Sequence, residues 1–126
     1  MSGTDYHKAI RDYLVGSSDI TDEISSSDIG VSWKRKKVNI PCIAIHQIDN
    51  KEVAQMGAGW SSGKPVFRID VAMRDSAYKT NQIMGYIKDL LLPEGYEIMT
   101  EFDSYDDKYE AYIKTINVRV TNTYSF

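Results

Sequence analysis

The spacing of apolar residues along the chain changes period several times, and each change marks an element. Tyr6, Ile10, Tyr13 and Leu14 recur at i, i+4, i+7 and i+8, which predicts an amphipathic helix over about Asp5 to Val15, capped by Ser2 or Thr4 and stopped by Gly16. From Ser17 to Ser27 the chain is polar apart from Ile20 and Ile24, a spacer with room for one helical turn. Ile29, Val31 and Trp33 alternate with small or polar residues as a short strand does, and the basic run Lys34 to Lys37 follows. Pro41 then opens a strand over Cys42 to Ile48 with two largely apolar faces, which places it inside a sheet.

Val66 to Arg74 is the cleanest strand, with Phe67, Ile69, Val71 and Met73 on the core side and Arg68, Asp70 and Arg74 expected to meet water or a partner. Asp75 or Ser76 caps a second helix, whose stripe of Ile83, Met84, Ile87, Leu90 and Leu91 faces inward while Lys79, Gln82, Lys88 and Asp89 face away. Leu92-Pro93-Glu94-Gly95 ends it. Strands over about Tyr96 to Ser104 and Tyr109 to Thr121 follow, made antiparallel neighbours by the turn Tyr105 to Lys108. Ile116, Val118 and Val120 mark the buried side of the last strand. The order α-β-β-β-α-β-β predicts one domain over residues 1–126 of the α+β class, with a mostly antiparallel or mixed sheet and helices packed on one face.

Composition narrows the function classes. With 15 Lys+Arg against 18 Asp+Glu the net charge is −3, which argues against a general nucleic-acid binder. Cys42 is the only cysteine, which excludes an internal disulfide and a thiolate-rich zinc site and suits a reducing compartment. No apolar run reaches the roughly 18 residues of a membrane helix and no basic-then-apolar leader opens the chain, so a soluble, unprocessed protein is expected. Nine tyrosines are unusual, and tyrosine is enriched where a surface must bury against another protein yet stay soluble alone.

Three constellations invite a chemical reading and fail it. Gly57 to Lys64 resembles a phosphate loop, but its outer glycines are one residue too far apart, Pro65 replaces the magnesium-binding hydroxyl, and a strand follows. Cys42 and His46 share one strand face, yet two ligands do not make a metal site and nothing brings His7 to them. The acids Glu97, Glu101, Asp103, Asp106, Asp107 and Glu110 lack the pivot glycine of a calcium loop and gather around a solvated turn. The expectation is a protein without catalytic, cofactor-binding or metal-binding residues. The glycine-rich insert from Asp49 to Pro65 is too long for a hairpin turn, and Trp60 within it, an aromatic costly to leave in water, is expected either to anchor an interface or to fold back onto its own domain.

Over nearly its full length the chain resembles the tail terminator, or tail-completion, proteins of the head-tail neck of long-tailed bacteriophages. The resemblance is carried by the helix Tyr6 to Leu14, the strand opening Pro41-Cys42-Ile43-Ala44-Ile45, the passage Val66 to Ser76 running into Ile83 to Leu91, and the closing hairpin ending in Val118-Arg119-Val120. It implies a structural protein of the virion, assembled in the host cytoplasm, that forms a hexameric ring. Such a ring caps the completed tail tube, stops its polymerisation and joins the tail to the head connector or stopper protein, while DNA passes through without specific binding. A closed ring needs two different complementary patches per subunit. Trp60, Met56, Lys64, Tyr124 and Phe126 are the expected interface residues, and Glu97, Glu101, Asp103, Asp106 and Asp107 the expected lumen-facing acids, whose charge repels phosphate. The alternatives are another neck or baseplate structural protein, or a small α+β ligand- or RNA-binding domain.

Overall fold

The computed structural model describes residues 6–34, 37–48 and 65–120. Helix α1 (Tyr6–Val15) is followed by the single turn α2 (Ser18–Thr21) and by strands β1 (Ile29–Val31), β2 (Cys42–Ile48) and β3 (Val66–Met73). Helix α3 (Ala77–Leu91) leads through a 3-10 turn to the hairpin β4 (Tyr96–Asp106) and β5 (Ala111–Val120). The five strands form one sheet in the order β1-β2-β3-β5-β4. Only β1 and β2 run parallel, and every other pair is antiparallel. The α+β class with a mixed sheet is therefore the architecture.

All three helices lie against one sheet face, because that face is nearly pure branched aliphatic. Ile43 and Ile45 of β2, Ile69 and Val71 of β3, and Ile116 and Val118 of β5 meet Ile10 and Leu14 of α1, Ile20 of α2 and Ile83, Met84, Ile87 and Leu91 of α3 in one core. Isoleucine suits both partners here, since its branched Cβ fits a pleated strand and its length fills the groove beneath a helix. Helix α3 is the crossover between parallel strands β3 and β4, and β5 returns to fill the slot between them. Its first turn is closed by Ser76, whose side chain accepts the backbone N–H of Lys79. Ser76→Ala is expected to cost about 1 kcal/mol in a urea titration; an unchanged midpoint would show that the cap contributes nothing.

Ten residues connect β1 to β2 as the second crossover, and residues 32–34 and 37–41 of it lie over the sheet face that carries no helix among the described residues. Trp33, Val38 and Ile40 pack there on Val31, Cys42, Ala44, Ala72, Ala111 and Ile113, a smaller apolar cluster of short side chains. The sheet accepts this close approach because alanine occupies the matching positions on β2, β3 and β5. Expected strand boundaries therefore shift: β1 stops at Val31 and Trp33 leaves the strand to cross the sheet, while β4 runs on to Asp106. Gly30 is bound to its position by geometry. Its φ of +83° is left-handed, and a Cβ there would stand 2.9 Å from Cδ of Arg11.

Candidate functional site

Asp70 lies at the middle of β3 on the helix-free face and is 0% exposed. The sequence placed it on a face meeting water or a partner; the crossover carrying Trp33 covers it instead. A buried carboxylate persists only when its charge and lone pairs are answered. Trp33 Nε1 donates to Oδ2 at 2.7 Å, Arg68 Nε donates to Oδ1 at 3.1 Å, and the Thr115 hydroxyl donates to Oδ1 as well. Three elements thus converge: the crossover supplies the indole, β3 the charged pair two residues apart, and β5 the threonine directly opposite Asp70.

The polar row continues across the same face. Asn117, opposite Arg68, donates to Thr100 Oγ1 of β4, and Arg119 donates to Glu97 Oε1 at 2.6 Å. Beside the row lies a hollow of about 260 Å³ lined by Trp33, Arg68, Asp70, Ser104, Asp106 and Tyr109 among others. The rings of Trp33 and Tyr109, both in its lining, pack against each other with centroids 5.3 Å apart and planes tilted by 38°. A second hollow of about 220 Å³ opens on the far side of Trp33, between Lys34, His46 and Gln47.

Cys42 is buried beneath this crossover. Burial pushes its thiol up to about 12, and the carboxylates of Asp28 and Asp70 add to the effect. The fold keeps the thiol neutral, so this group's contribution to stability is lost as pH rises above its ordinary value of 9.0 and the unfolded chain ionises. The native protein is expected to resist iodoacetamide at about pH 8 and to react fully once unfolded in urea. Rapid native alkylation, read by mass spectrometry, would contradict the burial. His46 of the same strand is exposed, and His7 turns to the helix side of the sheet, where its Nε2 donates to the carbonyl of Ile45 at 3.1 Å. Among the described residues no group of three His, Cys, Asp or Glu side chains is arranged to hold a metal ion, and no helix is long and apolar enough to cross a membrane.

The five acids follow one edge of the sheet and do not share a face. Strict alternation would put Glu97, Glu101 and Asp103 together, but a bulge between Ile98 and Thr100 inserts a residue and reverses the parity. Glu97 therefore pairs with Arg119 on the helix-free face, while Glu101 and Asp103 turn to the helix face. There Lys88 of α3 and Lys114 of β5 meet Glu101 at 3.0 and 3.2 Å, and Lys114 also reaches Asp103 at 3.3 Å. The hydrogen bond from Lys88 holds the Glu101 carboxyl below the usual range, against the opposing pull of burial and with help from Lys114. For Lys114 burial is the largest single influence and works against its charge, yet the bonds to Glu101 and Asp103 together outweigh it and raise its pKa. Asp106 accepts the backbone N–H of Tyr109 and closes the turn, and Asp107 is exposed at its tip. Neither forms an ion pair among the described residues.

The sheet's two edges differ. At the β1 side, helix α1 seals the strands: Arg11 Nε donates to the Ile29 carbonyl at 3.1 Å, and His7 serves Ile45 just beyond the last residue that β1 pairs. At the other side, the outer edge of β4 has no strand against it along Glu97–Asp106, among the described residues. Phe102 and Tyr105 on β4 are 45% and 52% exposed, and Tyr105 meets Tyr112 edge-on at 5.1 Å. The expected interface residues Trp60, Met56, Lys64, Tyr124 and Phe126, and the loop that holds the first three, lie outside the described residues. No family model matches the chain, and no match was found among curated proteins or solved structures.

Proposed function

We propose that this chain is a structural protein of a bacteriophage neck, a tail terminator that closes into a hexameric ring on the finished tail tube and joins it to the head connector or stopper protein. The observation that carries the reading is the open edge of β4. Along Glu97–Asp106 that outer edge, paired by no strand among the described residues, offers a row of backbone donors and acceptors, and proteins that stay monomeric normally cover or shorten such an edge. This one adds exposed aromatics to it. Strand addition by a neighbouring copy satisfies the edge and buries Phe102 and Tyr105. The second patch that a head-to-tail ring requires is assigned to Trp60, Met56, Lys64, Tyr124 and Phe126.

Of the acids, Asp106 and Asp107 fit the lumen best, because Glu97, Glu101 and Asp103 are already answered by cations of their own chain. A turn tip with uncompensated negative charge repels passing phosphates. The order of elements supports a structural role of this kind. The test is direct. Purified protein mixed with tail tubes from the same source, imaged by negative-stain electron microscopy, is expected to place six-fold rings at one tube end. Bare ends at saturating protein would overturn the proposal.

A further inference from the structure

We infer that the strand added to the outer edge of β4 is residues Thr121–Phe126 of the neighbouring copy, so that each subunit passes the segment following its β5 to the next. The inference rests on the ring reading above and names the partner at its seam. Other strands of a second copy fit the edge poorly. Glu97, Glu101, Asp103 and Asp106 make β4 acidic, and it carries no Lys or Arg. A two-fold pairing of β4 with another β4 would set acids against acids, and like charges opposite each other destabilise a strand pair. At the β1 edge, Arg11 and His7 of α1 already occupy the carbonyls of Ile29 and Ile45. The β1–β2 crossover is held on its own sheet by Trp33, Val38 and Ile40.

Thr121–Phe126 lies outside the described residues, and its sequence suits the edge. It is uncharged, rich in Thr, Tyr and Phe, and free of glycine and proline. In an extended chain its residues span about 20 Å, most of the length of the open edge. Its own sheet offers it no further rung among the described residues, because both neighbours of β5 begin at that end: β3 at Val66, opposite Arg119, and β4 at Tyr96, opposite Val120. Alternation then selects the facing. Phe102 lies on the helix-free face, where the Arg68 guanidinium carbon stands 5.9 Å from its ring centroid, while Glu101 and Asp103 lie on the helix face with Lys114. Setting Tyr124 beside Phe102 puts Asn122 and Phe126 on the same face and gives the two aromatics to an exposed third. Thr123 and Ser125 then fall beside Glu101 and Asp103 whether the added strand runs parallel or antiparallel, so hydroxyl donors meet carboxylates.

The test uses full-length chains carrying Phe102→Cys or Tyr124→Cys, mixed in equal amounts and oxidised with glutathione disulfide, with and without tail tubes. Two-chain products are read on a non-reducing gel, and tube ends are imaged in the same samples. Cys42 is buried and does not compete. The mixture is expected to give a two-chain band; Phe102→Cys alone, and Asp103→Cys mixed with Tyr124→Cys, are expected to give none. Thr123→Glu should weaken attachment to tube ends by about fivefold, and Thr123→Lys should not weaken it. Rings without the mixed band would overturn the inference and leave the ring reading standing, whereas the mixed band without rings would do the reverse. A band from Phe102→Cys alone would mean two-fold β4 pairing and overturn both, as would neither band nor rings. Equal effects of Thr123→Glu and Thr123→Lys would overturn the facing inferred here.

Discussion

Replacing Asp70 with alanine is expected to lower the unfolding free energy by about 3 kcal/mol, a large share of the margin of a domain this size. The substitution removes an acceptor from three donors at once. Trp33 Nε1 and the Thr115 hydroxyl remain under the crossover without a partner, and each unsatisfied buried group costs on the order of 1–3 kcal/mol. Arg68 loses its buried counter-charge, but its side chain is 40% exposed and water answers it in part, which is why the expected loss is not larger. Urea unfolding followed by circular dichroism gives the number. A loss below about 1 kcal/mol would mean that the crossover rearranges freely and that Asp70 does not hold it.

Ile69→Ala should cost more, about 4 kcal/mol. Ile69 is fully buried on the central strand, with β2 on one side and β5 on the other, and belongs to the core beneath the helices. Neighbours on a sheet and a helix cannot close around three lost carbons without breaking ladder bonds, so most of the cavity persists. Ile69→Val, which removes one methylene, should cost about 1 kcal/mol by the same titration. Tyr78→Ser on the exposed first turn of α3 should stay within about 0.5 kcal/mol. Similar losses for Ile69→Ala and Tyr78→Ser would contradict this assignment of the core.

The elements whose residues repeat on one period were legible in the sequence. Strand Cys42–Ile48 and helix Ala77–Leu91, with its Ser76 cap, stand where their patterns put them, because local periodicity and tertiary burial agree there. The buried side of the last strand was equally plain. What stayed hidden depends on contacts between distant segments. Asp70 reads as a solvent-facing strand residue, since nothing local announces that a tryptophan 37 positions earlier will donate to it. The one available signal was Arg68, an opposite charge two residues away on the same strand face. The acids misled for another reason: counting alternation along β4 groups Glu97 with Glu101, and a single bulged residue separates them onto opposite faces. Charge spacing also could not reveal that Lys88 and Lys114 would neutralise the helix-facing pair.

The claim that β4 is the seam between subunits is tested most directly by hydrogen exchange with mass spectrometry, on the protein alone and on the protein bound at tail-tube ends. In the free protein the outward amides of Glu97–Asp106 should exchange quickly, since no strand pairs with that edge among the described residues. In the bound protein the same segment should gain strong protection, while the interior strands β3 and β5 stay protected in both states. Binding at tube ends with no change in β4 exchange would contradict the account.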